Sequence, residues 1–153
     1  MSDDFRKPFA APPTIFGVAL MLSIPLGFLL PYPLLPVWAQ IPTGIVTIAA
    51  GVLLIRSSMQ SINSAETTYD PFAASTALVT TGIYRYTRNP GYLGLAVIQF
   101  GFALLFDNLW IGLATIVAMW VTTQYVIKLE EEKLTDTFGQ DYVDYRHTVR
   151  RWL

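Results

Sequence analysis

The chain has 153 residues, of which 53% are apolar and only 14% charged, and its formal net charge is −1. Soluble domains carry about a quarter charged residues, so much of the apolar surface here has to face lipid. The charge balance excludes a nucleic-acid-binding protein, which needs a basic stripe along the phosphates. The lack of cysteine excludes disulfides, thiolate nucleophiles and cysteine-held zinc or iron–sulfur centres, and the single histidine, His147, cannot build a metal site.

By length the chain reads as one domain, residues 1–153. Its first thirteen residues are polar at Asp3, Asp4, Arg6 and Lys7. An apolar run over 14–30 follows, with no small-x-small cleavage site behind it, and reads as a retained helix that Pro25 kinks. The turn carrying Pro31, Pro33 and Pro36 leads into a second run over 37–55, closed by Arg56. The third and fourth runs, 92–106 and 109–127, are separated only by Asp107 and Asn108, which predicts a tight antiparallel hairpin. Each run approaches the ~20 residues that cross a bilayer core, the third being short.

The sequence therefore predicts an all-α integral membrane protein with four transmembrane helices. Basic residues orient it. The connections 31–36 and 107–108 contain no Lys or Arg. All ten basic residues (Arg6, Lys7, Arg56, Arg85, Arg88, Lys128, Lys133, Arg146, Arg150 and Arg151) fall on the other side. By the positive-inside rule both termini are cytoplasmic, as are two polar pieces, 56–91 and 128–153. A 36-residue connection is too long for an idle loop, so the chemistry belongs on these two pieces.

In the tail, Ile127, Glu130, Leu134 and Phe138 recur along one helical stripe, with Glu131 beside it. Lys128 and Glu132 form a surface pair on another face. Two readings of Glu130 stay open. It belongs to a solvated acidic run that ends a span, or it points inward to a cation supplied by Arg85, Arg88 or a ligand. Tyr142, Tyr145, Val149 and Trp152 continue an amphipathic stripe beyond Gly139, and Arg146, Arg150 and Arg151 suit an anionic inner leaflet.

The stretch L-V-T-T-G-I-Y-R-Y-T-R-N-P-G-Y-L-G at 78–94 is too polar to be filler. Asn89-Pro90-Gly91 marks a turn, after which Tyr92 opens a helix whose first N–H groups can face an anion. Arg85 and Arg88 flank the turn, with Tyr84, Tyr86 and Tyr92 as aromatic faces. Interfacial anchoring is the plain alternative for these Arg and Tyr side chains.

The pattern L-V-T-x-G-x-Y-x-x-x-R-N-P-x-Y-x-G, followed after the hairpin by E-E-x-x-L-x-x-x-F-G-x-x-Y-x-x-Y, resembles the isoprenylcysteine carboxyl methyltransferase and phospholipid N-methyltransferase superfamily. The likeness covers residues 78–152, about half the chain. It implies an S-adenosylmethionine site built by Thr76, Ala77, Leu78, Val79, Tyr84, Asn89, Pro90, Gly91, Tyr92 and Glu130, with Arg88 and Glu130 in catalytic roles and no metal. It also implies a lipophilic small-molecule or lipidated acceptor among membrane lipids, either prenylcysteine-carboxylate-like or an aminolipid. Thr76 and Asn89 stand where the eukaryotic prenylcysteine enzymes carry histidine. Val126 stands where they carry the arginine that holds the substrate carboxylate, which weakens the case for that acceptor.

Methyl transfer from a sulfonium is an in-line displacement that needs positioning and a water-poor site but no metal. A G-x-G-x-x-G fingerprint is absent, which excludes a soluble Rossmann methyltransferase. The rival readings are an NADPH-dependent sterol-reductase-like membrane enzyme, which shares the R-N-P-x-Y-x-G turn, and a non-catalytic membrane scaffold. Gly94 and Gly101 on the third run permit close helix contact. Oligomeric state is not legible.

Overall fold

The computed structural model describes residues 10–64 and 77–153, and among these every regular element is helical. Helix α1 (Pro12–Leu29) opens on proline, whose missing N–H costs nothing in a first turn, and Pro25 lies inside it. Helix α2 (Val37–Ser64) is ten residues longer than a hydrocarbon core needs at about 18. A 3₁₀ turn (Gly82–Arg85) precedes α3 (Pro90–Leu105) and α4 (Leu109–Thr122). One wide π turn (Thr123–Ile127) carries α4 without a break into α5 (Lys128–Phe138), and α6 (Gln140–Thr148) follows Gly139.

Arg56 does not close the second helix, which continues to Ser64. No Gly or Pro follows Arg56 until Pro71, and the hydroxyls of Ser61 and Ser64 donate to the carbonyls of Ser57 and Gln60 within the helix.

Among the described residues, three helices are long and apolar enough to cross a membrane: Pro12–Leu29, Val37–Ser64 and the continuous Leu109–Phe138. The apolar part of the last ends at Ile127, where the charged run K-L-E-E-E-K begins. Helix α3 has sixteen residues, about 24 Å of rise against a core of ~30 Å, and falls short of the expected fourth span by length. The chain is an integral membrane protein. Val18, Met21, Leu22 and Phe28 on α1, Trp38, Val46 and Leu53 on α2, and Ile116, Val117 and Trp120 on α4 are exposed large apolar residues on its outside.

Packing explains how a short α3 is held. Its principal neighbour is α2, and the two meet through glycines seven residues apart on each helix. A Cβ at Gly94 would stand 2.8 Å from the Gly51 carbonyl oxygen, and one at Gly101 would stand 3.2 Å from that of Gly44. Only glycine lets these backbones meet, the device expected of Gly94 and Gly101. Helix α1 packs chiefly on α4, and α3 and α4 form the expected hairpin. Ile15, Phe16, Ala96, Ala118 and Val126 make the core between α1, α3 and α4.

The end bearing the short connections is clasped by side chains. Asp107 (φ 49°) accepts from the N–H groups of Leu34 at 2.7 Å and Leu35 at 3.0 Å. Asn108 caps α4 by accepting from the N–H groups of Trp110 and Ile111, and its amide occupies the space a side chain at Gly27 would need. The Trp110 indole donates to the Leu30 carbonyl at 2.8 Å.

Candidate functional site

The ionisable chemistry gathers at the opposite end, where the segment before α3 meets α5 and the tail. Asn89 is the last residue before α3, with Pro90 in the first turn, and the Asn89 side chain does not cap that turn. The Asn89 amide instead donates to the Arg151 carbonyl at 2.9 Å, joined there by the Thr87 hydroxyl at 3.2 Å. The Arg88 N–H donates to the Arg150 carbonyl at 3.0 Å. Two segments some sixty residues apart in sequence are thus tied by backbone as well as side chains.

The two adjacent acids do different things. Glu131 is buried, and its carboxylate accepts from the Arg151 guanidinium in two bonds of 2.9 and 2.7 Å. Arg88, equally buried, pairs with the same carboxylate at 2.9 Å and donates to the Tyr142 hydroxyl at 3.3 Å. Bidentate geometry and a second cation offset the desolvation of such a buried charge. The hydrogen bond to Glu131 holds the Arg151 guanidinium above its ordinary range. Burial raises the Tyr142 and Tyr145 phenols, so both stay neutral at ordinary pH, and Tyr145 donates to the Tyr84 carbonyl at 2.7 Å.

Glu130 is half-buried just beyond the apolar part of its helix, and accepts the Tyr92 hydroxyl at 2.5 Å. Burial pushes its carboxyl up to about 7, more than the Tyr92 hydrogen bond and the nearby Lys133 lower it. It is an acid whose burial favours the neutral form, and it is bonded to the first turn of α3.

Of the residues marked from sequence, the structure brings together Arg88, Asn89, Pro90, Gly91, Tyr92 and Glu130. Arg88 meets Glu131 rather than Glu130. Ala77, Leu78 and Val79 are half-buried in the approach to the 3₁₀ turn. The Tyr84 hydroxyl is bonded to Ser58 of α2 at 2.9 Å, and Arg85 is exposed. Thr76 lies outside the described residues. Sequence reasoning passed over Glu131, Tyr142 and Arg151. The E-E and F-G-x-x-Y pattern contained the first two, while Arg151 had no signal beyond its charge. No group of His, Asp or Glu that could hold a metal occurs among the described residues.

Residues 39–141 match the family Phospholipid methyltransferase. Among characterised proteins, the chain is 36% identical over 72 residues to a protein-S-isoprenylcysteine O-methyltransferase of Schizosaccharomyces pombe, covering 47% of this chain and 30% of that one. It is 33% identical over 72 residues to the Saccharomyces cerevisiae enzyme of the same name, with the same coverage. With the mouse enzyme it shares 26% over 109 residues, 70% of this chain and 38% of the relative. The matched part spans well under half of these relatives. Both the α2–α3 glycine pair and the Tyr92–Glu130 juxtaposition fall inside the family match, and the chain belongs to the phospholipid methyltransferase family.

Proposed function

We propose that the protein is an S-adenosylmethionine-dependent methyltransferase acting at the cytoplasmic membrane face on a lipophilic acceptor. The observation that carries this reading is the hydrogen bond between Tyr92, in the first turn of α3, and Glu130 on α5. It sets an electron-rich acid beside a helix start that the Asn89 side chain does not cap. The methionine end of the donor offers an ammonium for the first and a carboxylate for the second. These residues fit the group by chemistry. When bound, S-adenosylmethionine supplies an activated methyl on a sulfonium.

In this reading Glu130 ionises as it takes the ammonium, and Tyr92 keeps its carboxylate oriented. Asn89, Pro90 and Gly91 shape the turn, with Thr76 to Val79 and Tyr84 along its approach. Arg88 acts by position: its pair with Glu131 anchors the loop against the tail. The methyltransferase names of these relatives favour this over the NADPH-dependent alternative. The single-domain, four-span topology with cytoplasmic termini belongs to the same proposal. It rests on the charge distribution, and α2 compensates for a short α3 by covering it.

The acceptor reads as an aminolipid or a prenylcysteine-like acid. Fully buried Val126 precedes Glu130 by one turn and offers no cation to an acceptor carboxylate. Substituting Glu130→Gln should abolish S-adenosylmethionine binding measured by calorimetry in detergent, and unchanged affinity would sink the assignment. A labelled-methyl assay with aminolipids and prenylcysteine analogues then identifies the acceptor class.

A further inference from the structure

The boundary between α4 and α5 is a single wide turn within one continuous helix. The Lys128 N–H reaches the Thr123 carbonyl, five residues back instead of four. Such a turn adds one residue, rotating everything beyond it by about 100° relative to the helix before it. Thr123 opens the turn. The hydroxyl of that residue donates to the Met119 carbonyl at 2.7 Å, while its N–H is shared between the carbonyls of Met119 and Trp120.

The rotation decides which tail residues face inward. On α4 the buried positions are Ile111, Thr115, Ala118 and Thr122, at steps of four, three and four. Continued at the regular period, that stripe passes through Val126, Leu129 and Lys133. Val126 is buried as that period expects, but the other buried positions are Ile127 and Glu131, with Glu130 against Tyr92. With the extra residue counted, Glu131 takes a buried position and Glu130 meets Tyr92.

We infer that the wide turn at Thr123–Ile127 is the positioning device of the site: its extra residue sets the register by which Glu130 reaches Tyr92 while Glu131 reaches Arg88 and Arg151. What matters is the number of residues between Thr122 and Glu130, not the identity of those in the turn. The functional meaning rests on the donor-site reading, whereas the register itself has a test independent of any ligand.

The experiment compares three forms of the full chain in detergent: wild type, a deletion of Gln124, and that deletion with one alanine inserted between Ile127 and Lys128. The Gln124 side chain accepts from Lys128 on the exposed side. Each form is melted with and without Glu131→Gln, and S-adenosylmethionine binding is measured by calorimetry. The deletion should lose donor binding and become insensitive to Glu131→Gln, because the acid no longer meets its arginines. The compensated form should regain both the binding and a drop in melting temperature of several degrees on Glu131→Gln. If the deletion form does not fold, the compensated form still decides: its recovery supports the register, and its failure to fold or to regain sensitivity overturns it. A deletion form that keeps full Glu131 sensitivity also overturns it. Should wild type show that sensitivity but bind no donor, the donor reading falls and the register stands.

Discussion

Glu130 and Glu131 are neighbours in sequence and opposites in chemistry. Glu131 is neutralised by two guanidinium groups and is structural, so Glu131→Gln should cost about 3–5 kcal/mol, the usual penalty for stranding buried cations, read from melting in detergent. Glu130 has its carboxyl raised to about 7 by burial. The fold favours its protonated form, so that contribution to stability is full below the ordinary carboxylate range and is lost as pH rises through about 7. Binding of a cation runs the other way, because only the ionised acid attracts it. S-adenosylmethionine affinity should therefore strengthen as pH rises through about 7, and Glu130→Gln should leave a flat, weak profile. A wild-type affinity that does not change across this range would argue against Glu130 as the ammonium partner. Regular helical periodicity singles out Glu130 but gives Glu131 no role, because a period of 3.6 residues cannot reveal an extra residue in the turn upstream. Arg151 was legible only as a charge, since its partners lie twenty and some sixty residues away.

Among the elements, the α2–α3 pair is where sequence and structure agree most closely. Gly94 and Gly101 signalled close approach, and their partners on α2, Gly44 and Gly51, share the same seven-residue spacing. Gly51→Leu should separate the helices, since even its Cβ would stand 2.7 Å from the Gly94 carbonyl oxygen. Overpacking of this kind costs about 1–3 kcal/mol or more, and here the neighbour is backbone that cannot rotate away. A detergent melt should show the loss, with Gly17→Ala, which meets nothing within 4 Å, as the neutral control. Helix ends were less legible. Arg56 looked like a stop because it is charged, but charge at the edge of a bilayer does not break a helix. The residues after it, Ser57 to Ser64, include no proline or glycine.

For the molecule as a whole, hydropathy and charge sufficed for the membrane assignment and the hairpin, whereas the clasp at Asp107 depended on a turn conformation that composition does not encode. The proposed orientation has a direct test, because the chain has no cysteine. A single cysteine at Tyr32 should react with a membrane-impermeant maleimide added outside intact cells, and one at Thr148 only after permeabilisation. The reverse pattern would invert the protein. Asp107→Ala should release the connection between α1 and α2 while leaving donor affinity unchanged, since the clasp sits at the far end from Glu130.

The bonds to Arg151 carry one further implication, for biosynthesis. Thr87 and Asn89 are made more than sixty residues before the carbonyl they share. While the ribosome is still extending the tail, the apolar helices can already be delivered to the bilayer, but the loop before α3 has neither its backbone partner nor the second guanidinium for Glu131. A nascent chain stalled before Arg151 therefore carries the loop and the acid without the residue that ties them together.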